Sequence, residues 1–184
     1  NSSAAEIGIE GLIETVEGLS NVDKIAQSSE KLEALVLGMG DYAASQRMRI
    51  NTIGDVSSEA GDIWQYPRYR LIVACHANGI NPIDGPYADV KDISGLKQDS
   101  KKTSLIGMMG KWAIHPDQVT PITEAFTPGK DVIWTARKQK TAYEKGLSEG
   151  LGSVSVDGVM VDAANSKTID ELLALHELYE KTDS

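Results

Sequence analysis

The sequence has a single cysteine, Cys75, so no disulfide bond can form within the chain. No apolar run approaches the roughly 20 residues that a membrane-spanning helix needs. No signal peptide is evident at the start of the chain. Because disulfides are rare in reducing compartments, we predict a cytoplasmic protein that has no membrane partner.

Positive charge is also scarce. The chain carries 18 lysine and arginine residues against 27 aspartate and glutamate residues, which gives a formal net charge of −9. This balance argues against nucleic acid as a partner. The 184 residues suffice for one ordinary domain with a substantial core. The chain begins without methionine and enters its first apolar segment almost at once, so we expect it to be part of a longer protein.

Apolar segments alternate with helical patterns along the first 146 residues. Strands are predicted near 6–14, near 35–39, in "INPIDGP" and in "MGKWAIHP". Ser20 is the expected N-cap of the first helix, and a longer helix is expected near 62–78. This alternation predicts a parallel sheet covered by helices on both faces.

Four strand–helix units fit either an open doubly wound sheet or half of an eight-stranded (βα)8 barrel. No phosphate-binding loop and no GxGxxG pattern opens a helix, which disfavours a nucleotide-binding fold. After Gly146 the pattern changes. "SVSVDGVMVD" predicts a hairpin, and "AANSKTIDELLALHELYEK" predicts a terminal amphipathic helix.

Each predicted strand is followed by a polar residue at its carboxyl end. These residues are Glu14, Asp41, Asp84 and His115. In folds of this type the carboxyl ends of the strands hold the active site. Two carboxylates on consecutive parallel strands suit Mg²⁺, which prefers oxygen ligands, or an acid/base pair.

The segment "LGMGDY" adds glycines to the second carboxylate. Gly38 and Gly40 let a ligand approach the backbone closely, and successive N–H groups in such a turn hold anions. A small carboxylate substrate would therefore rest on the amides of Gly40 and Asp41.

Several longer segments resemble a known family. "LIET", "LGMGDYAAS", "IDGPYADV", "GKWAIHPDQV" with "AFTP", and "MVDAANSK" occur in this order and at similar spacing in the citrate lyase β-subunit-like superfamily. The chain most resembles its malyl-CoA lyases, over nearly its whole length. The resemblance implies a (βα)8 barrel of which this chain supplies strands five to eight, residues 1–146. It also implies a C-terminal extension, residues 147–184.

The resemblance assigns roles to individual residues. Glu14 and Asp41 become ligands of Mg²⁺, with Mn²⁺ as an alternative metal, and the carboxylate of a 2-oxo acid lies near the amides of Gly40 and Asp41. Asp162 matches the acid/base that the extension lends to a neighbouring subunit. The family's arginine that polarises the thioester carbonyl has no counterpart in this chain.

The family binds CoA, which is part of the substrate, around the fourth strand. In this chain that region contains Trp112, His115 and Pro116. His115 also has the simpler interpretation of a residue that orients the loop, and Trp112 that of a core residue.

The implied reaction is reversible C–C cleavage of a 3-hydroxyacyl-CoA, with (S)-malyl-CoA giving acetyl-CoA and glyoxylate. A citramalyl-CoA or β-methylmalyl-CoA lyase, a malyl-CoA thioesterase and a citrate lyase β subunit remain alternatives. A class II 2-oxo acid aldolase that uses no CoA is a further alternative, and so is a regulatory subunit with a decayed site. The family assembles as homo-oligomers, commonly trimers or hexamers.

Overall fold

A computed structural model describes residues 7–182 apart from residue 51 and residues 54–60. The chain divides into two compact units between Phe126 and Thr127. Within the described residues the first unit contains β1 (Ile9–Ile13), α1 (Val16–Ser20), α2 (Val22–Ala26), β2 (Leu32–Leu37), α3 (Met39–Ser45), α4 (Gln65–Ala77), β3 (Asn81–Asp84), α5 (Ile93–Leu105), β4 (Gly110–Lys111), a 3₁₀ helix (Pro116–Gln118) and α6 (Val119–Phe126). The second unit contains α7 (Lys130–Ser148), β5 (Ser153–Val156), β6 (Val159–Asp162) and α8 (Ala163–Thr182).

The strands of the first unit form a parallel sheet in the order β1-β2-β3-β4, counted over the described part of the chain. Ile13 pairs with Leu37, so β1 and β2 end side by side. The strand β2 is almost wholly buried, as expected for a strand covered on both faces. The parallel arrangement places all four carboxyl ends at one edge of the sheet. We call this edge the carboxyl edge.

The core of the first unit lies between the sheet and its helices. Leu35, Leu37, Trp64 and Leu71 are fully buried there. Cys75 is also fully buried, and burial raises the pKa of its thiol to about 12. The cysteine is therefore a core residue, as its apolar surroundings in the sequence indicate.

Four charged side chains meet in the interior of the first unit. Arg68 of α4 donates from Nε and Nη2 to the two oxygens of Asp84, each at 3.0 Å, and from Nη2 to Asp99 of α5 at 3.0 Å. Lys111 of β4 donates from Nζ to Asp84 at 2.6 Å and to Asp99 at 2.8 Å. Their charges cancel, and we call these four residues the ionic cluster. It links two strands to two helices.

Asp84 ends β3, as the sequence predicts, and its side chain belongs to the ionic cluster. Its carboxylate is fully buried against Arg68 and Lys111. Burial alone would raise the pKa of Asp84, but the charges of Lys111 and Arg68 hold it below the ordinary value. Burial likewise lowers the pKa of Arg68, and the neighbouring carboxylates of Asp84 and Asp99 more than reverse this effect. Asp84 and Arg68 stay charged because each faces opposite charge.

Three expectations differ from the structure. Ser20 ends α1, which Thr15 caps by accepting from the N–H of Gly18 at 2.9 Å, and the predicted helix is α2, whose N-cap residue is Asn21. The fourth strand is only Gly110–Lys111, and the polar stretch after β2 opens with the unpredicted helix α3. The helix predicted near 62–78 is present as Gln65–Ala77.

The second unit packs α7 and α8 around the hairpin β5–β6. The turn is Asp157-Gly158, and both residues have positive φ, 51° and 82°. These values are typical of the tight turn that joins two antiparallel strands. The predicted hairpin and terminal helix are confirmed. The helix α7 packs with the elements of the second unit. The division of the chain into 1–146 and 147–184 stays a prediction. Within the part of the chain that the structure describes, no helix is long and apolar enough to cross a membrane.

Because the ionic cluster is buried, we predict that replacing one carboxylate of the cluster by an amide lowers the stability of the fold strongly. Asp84→Asn leaves Arg68 and Lys111 with one carboxylate, and removing one partner of a buried ion pair typically costs about 3–5 kcal/mol. Urea denaturation at pH 7 measures this loss. The control is Glu124→Gln, which breaks an exposed ion pair with Lys97 and should cost less than ~1 kcal/mol. Equal midpoints for the two variants would contradict the structural role of the cluster.

The same contact predicts acid sensitivity. Because the pKa of Asp84 is lower in the folded state, its stabilising contribution is present above about pH 4, the ordinary range of an aspartate. The contribution disappears as the pH falls through the folded-state pKa. The Tm difference between the parent protein and Asp84→Asn should therefore be constant near neutrality and shrink in acid. A difference that persists unchanged to pH 2 would show that another group is responsible.

Candidate functional site

Glu14 follows β1 and is half-buried at the carboxyl edge. The N–H of Gly38 donates to the carbonyl of Ile13 at 2.8 Å, which holds the ends of β1 and β2 together. A Cβ at position 38 would lie 2.6 Å from Cβ and 3.3 Å from Oε2 of Glu14. Glycine is therefore required at position 38, because the backbone there packs directly against the side chain of Glu14.

Asp41 lies in the first turn of α3 and is exposed. Gly38 is the N-cap residue and provides no side-chain hydrogen bond. The N–H groups of Gly40 and Asp41 belong to the first turn, where a helix offers no acceptor of its own. This end of α3 consequently presents two backbone donors and one carboxylate at the carboxyl edge.

The residues at this edge fit a magnesium ion by their chemistry. Mg²⁺ takes oxygen ligands, keeps several waters and commonly uses only one or two protein carboxylates. Glu14 and Asp41 supply two such carboxylates. Among the described residues no group of three or more histidine, cysteine, aspartate or glutamate side chains is arranged to hold a metal. The protein ligands of an ion here would be these two carboxylates.

The segment after β4 carries the residues that the sequence assigns to CoA. The N–H of Trp112 donates to the carbonyl of Asp84 at 3.0 Å, so the segment begins at a fixed point beside the ionic cluster. Trp112 is 40% exposed, which rules out its interpretation as a core residue. The core tryptophan is Trp64.

His115 has an extended backbone and caps the 3₁₀ helix that Pro116 begins. Its Nδ1 accepts from the N–H of Asp117 at 3.2 Å. Since Nδ1 is an acceptor in this contact, the neutral ring carries its proton on Nε2. The side chain is half-exposed and so presents an N–H donor to a ligand.

Asp162 ends β6 and is the N-cap residue of α8. Its Oδ1 accepts from the N–H groups of Ala164 at 2.9 Å and Asn165 at 3.1 Å. Asn165 returns a hydrogen bond, because its Oδ1 accepts from the N–H of Asp162 at 3.2 Å. This is a capping box with asparagine in the third position. Within the described residues, Oδ2 of Asp162 forms no hydrogen bond and remains available.

The structure thus places Glu14, Gly40 and Asp41 together at the carboxyl edge. The segment 112–118 starts from the same edge, whereas Asp162 belongs to the second unit. The sequence analysis missed the members of the ionic cluster other than Asp84. Arg68 and Lys111 interrupt apolar surroundings in "YPRYRLIV" and "MMGKWAI", and this interruption was the available signal.

The fold agrees with solved structures. Protein CitE from Mycobacterium tuberculosis, solved in complex with magnesium, acetoacetate and coenzyme A, superposes with a TM-score of 0.75 at 21% identity. The superposition covers 92% of this chain and 61% of that one. The prediction of a partial (βα)8 barrel is confirmed.

Two relatives match most of the chain. The L-malyl-CoA/beta-methylmalyl-CoA lyase of Rhodobacter capsulatus is 35% identical over 182 residues, which is 94% of this chain and 57% of the relative. The malyl-CoA/beta-methylmalyl-CoA/citramalyl-CoA lyase of Chloroflexus aurantiacus is 26% identical over 95% of this chain and 54% of its own length. The chain therefore spans a little more than half the length of these relatives. Residues 2–116 match the model of one family, so the chain belongs to the HpcH/HpaI aldolase/citrate lyase family.

Proposed function

We propose that the protein carrying this chain catalyses the reversible, Mg²⁺-dependent cleavage of (S)-malyl-CoA to acetyl-CoA and glyoxylate. The 35% identity to an L-malyl-CoA/beta-methylmalyl-CoA lyase over 94% of the chain carries this proposal. The two carboxylates at the carboxyl edge and the close packing of Gly38 against Glu14 support it. The fold alone would not support this proposal, since one fold hosts many activities.

Glu14 and Asp41 would hold the metal in this proposal. A bound Mg²⁺ supplies Lewis-acid polarisation of the 2-oxo acid carbonyl. The N–H groups of Gly40 and Asp41 would donate to the carboxylate of glyoxylate, because the first turn of α3 leaves them without helical partners. This chain would then bind the 2-oxo acid through the metal that its two carboxylates hold and through two backbone donors.

Asp162 would transfer the proton to or from the carbon atom next to the thioester. In cleavage, the hydroxyl group would release its proton to solvent and become the aldehyde carbonyl of glyoxylate. The bond between the hydroxyl-bearing carbon and the carbon next to the thioester would break, and its electron pair would form the thioester enolate. Protonated Asp162 gives its proton to that carbon, which yields acetyl-CoA. In condensation, the carboxylate removes a methyl proton instead. The free Oδ2 suits this role, because the helix cap uses Oδ1.

Trp112, His115 and Pro116 would contact CoA. Trp112 offers an exposed aromatic face, and His115 offers the Nε2–H group fixed by its contact with Asp117. The protein would act as a cytoplasmic homo-oligomer, a trimer or hexamer, in which Asp162 serves a neighbouring subunit.

A broader acyl range is the second candidate. The Chloroflexus aurantiacus relative is named for malyl-CoA, beta-methylmalyl-CoA and citramalyl-CoA together. Assays of the full-length protein with acetyl-CoA or propionyl-CoA, and with glyoxylate or pyruvate, separate these substrates by mass spectrometry. Hydrolysis of malyl-CoA to free malate would instead indicate a thioesterase. Cleavage of a 2-hydroxy-4-oxo acid without CoA would indicate an aldolase.

The first prediction concerns the metal. Glu14→Gln and Asp41→Asn should each abolish turnover in the full-length protein, because each removes one of two protein ligands. Both should also abolish the rise in Tm that Mg²⁺ produces in the parent protein, which is a readout independent of activity. Glu17→Gln is the matched control, since Glu17 is a nearby exposed acid. Retention of the Mg²⁺-dependent Tm shift in Glu14→Gln would exclude Glu14 as a ligand.

The second prediction concerns Asp162. Asparagine is as good an N-cap residue as aspartate, so Asp162→Asn should keep the cap of α8 while removing the transferable proton. We expect kcat to fall by ~10²–10⁴-fold with a much smaller change in substrate binding. Solvent deuterium exchange into the methyl group of acetyl-CoA, measured with a non-reacting 2-oxo acid analogue, should be lost.

Asn165→Ala is the control for this experiment. It removes one hydrogen bond of the capping box and leaves the carboxylate of Asp162. It should lower Tm slightly and retain methyl exchange. Exchange at the parent rate in Asp162→Asn would place the base elsewhere.

The third prediction concerns assembly. If Asp162 serves a neighbouring subunit, mixing Asp162→Asn with Glu14→Gln protein should restore part of the activity through hybrid sites. Subunit exchange is verified first by native mass spectrometry of differently tagged proteins. No recovery after verified exchange would mean that each site is built within one chain.

A further inference from the structure

Gln118 is a buried polar residue to which neither the fold nor the proposed chemistry gives a role. It is the last residue of the 3₁₀ helix and is completely buried. Buried amides are normally fully hydrogen-bonded, because an unpaired donor or acceptor in the interior is costly. The partners of Gln118 therefore indicate what the side chain holds in place.

The side chain of Gln118 joins two segments that leave the carboxyl edge. Its Oε1 accepts from the N–H of Ile114 at 2.9 Å, in the segment after β4. Its Nε2 donates to the carbonyl of Tyr87 at 2.8 Å, in the segment after β3. The backbone N–H of Gln118 also donates to the carbonyl of His115 at 3.0 Å. One side chain thus closes the 112–118 segment on itself and ties it to the neighbouring segment.

Packing holds the 112–118 segment only in part. Trp112 and Ile114, its large apolar residues, are 40% and 52% exposed, so a large share of their surface gains nothing from burial. The conformation of the segment therefore also depends on its hydrogen bonds, and Gln118 forms one of them at Ile114, in the middle of the segment.

The other end of this contact is itself anchored. The hydroxyl of Tyr87 donates to Oδ2 of Asp92 at 2.7 Å, and Oδ1 of Asp92 caps α5 by accepting from the N–H of Gly95 at 2.9 Å. Burial, together with the hydrogen bond to Asp92, raises the pKa of the Tyr87 hydroxyl to about 12, so this donor stays protonated at neutral pH. Gln118 therefore ties the 112–118 segment to the N-terminus of a helix.

We propose that Gln118 is a positioning residue that holds the 112–118 segment, and with it Trp112 and His115, in the conformation that binds the CoA thioester. The inference rests on the proposed function, because that proposal assigns CoA to this segment. A glutamine suits the position because its amide donates and accepts at once. Leucine would leave the N–H of Ile114 and the carbonyl of Tyr87 unpaired.

The test uses Gln118→Met in the full-length protein, since methionine has a similar length and shape and removes both side-chain hydrogen bonds. In condensation, KM for acetyl-CoA should rise about tenfold, as expected for the loss of one or two hydrogen bonds. KM for glyoxylate and kcat should stay within about twofold, because Glu14, Gly40 and Asp41 are untouched. Amide hydrogen exchange at Ile114 should become faster.

Thr103→Val is the matched control. Thr103 is also fully buried, and its Oγ1 donates to the carbonyl of Ser100 within α5 at 3.1 Å. Valine keeps the shape and removes that hydrogen bond away from the 112–118 segment. Both KM values and the exchange at Ile114 should match those of the parent protein. If Gln118→Met does not fold, Gln118→Glu replaces it in the test. Glutamate keeps the acceptor for Ile114 and loses the donor to Tyr87, so KM for acetyl-CoA should rise, by less than about tenfold.

The outcomes separate the inference from the proposed function. Equal KM values for acetyl-CoA in the Gln118 and Thr103 variants, or a parallel rise in KM for glyoxylate, would overturn the positioning role. A parent protein that condenses no acyl-CoA with any 2-oxo acid would overturn the proposed function and the CoA role of Gln118 with it. In that case, exchange at Ile114 still shows whether Gln118 holds the segment.

Discussion

The buried contact among Arg68, Asp84, Asp99 and Lys111 is the constraint on which the first unit depends. The strand β4 is two residues long and pairs with β3 over only two positions, so the sheet ladder alone holds it weakly. Lys111 compensates because its ammonium group binds two buried carboxylates. Such a cluster is neutral only when complete, and the loss of one member leaves a buried charge. The segment that follows Lys111 therefore starts from a rigid point.

The ionic cluster also distinguishes Asp84, which supports the fold, from the strand-end acids Glu14 and Asp41. Asp84 faces Arg68 and Lys111, so their positive charges compensate its negative charge inside the protein. Glu14 and Asp41 lie at the same edge, and neither forms a salt bridge within the described residues. An acid whose charge is already compensated is a poor metal ligand, whereas an uncompensated one gains from a cation. The structure thus divides three similar positions into one whose charge is compensated within the fold and two that form no salt bridge within the described residues.

The sequence predicts the alternation of elements well, because apolar runs and helical periodicity are local properties. It also predicts the hairpin at Asp157-Gly158, whose turn chemistry is local too. It fails where the deciding partner is distant in the chain. The contacts of Asp84 with Arg68 and Lys111 cannot be read from the sequence around it. Gln118 looks unremarkable until its side chain is seen to reach Tyr87, 31 residues earlier. The pattern identifies candidate carboxylates, and only the tertiary contacts show which of them are free.

The proposed acid/base illustrates how one carboxylate can serve both structure and chemistry. Oδ1 of Asp162 is committed to the first turn of α8, and Asn165 fixes the backbone of Asp162 in return. These contacts are local to the second unit, so they orient the carboxylate without help from any surface that it would serve. An acid offered to a neighbouring subunit needs this property, because its rotamer must be set before the subunits meet. In the proposed role, the free Oδ2 would approach the substrate in a defined direction, which would reduce the loss of conformational entropy on binding.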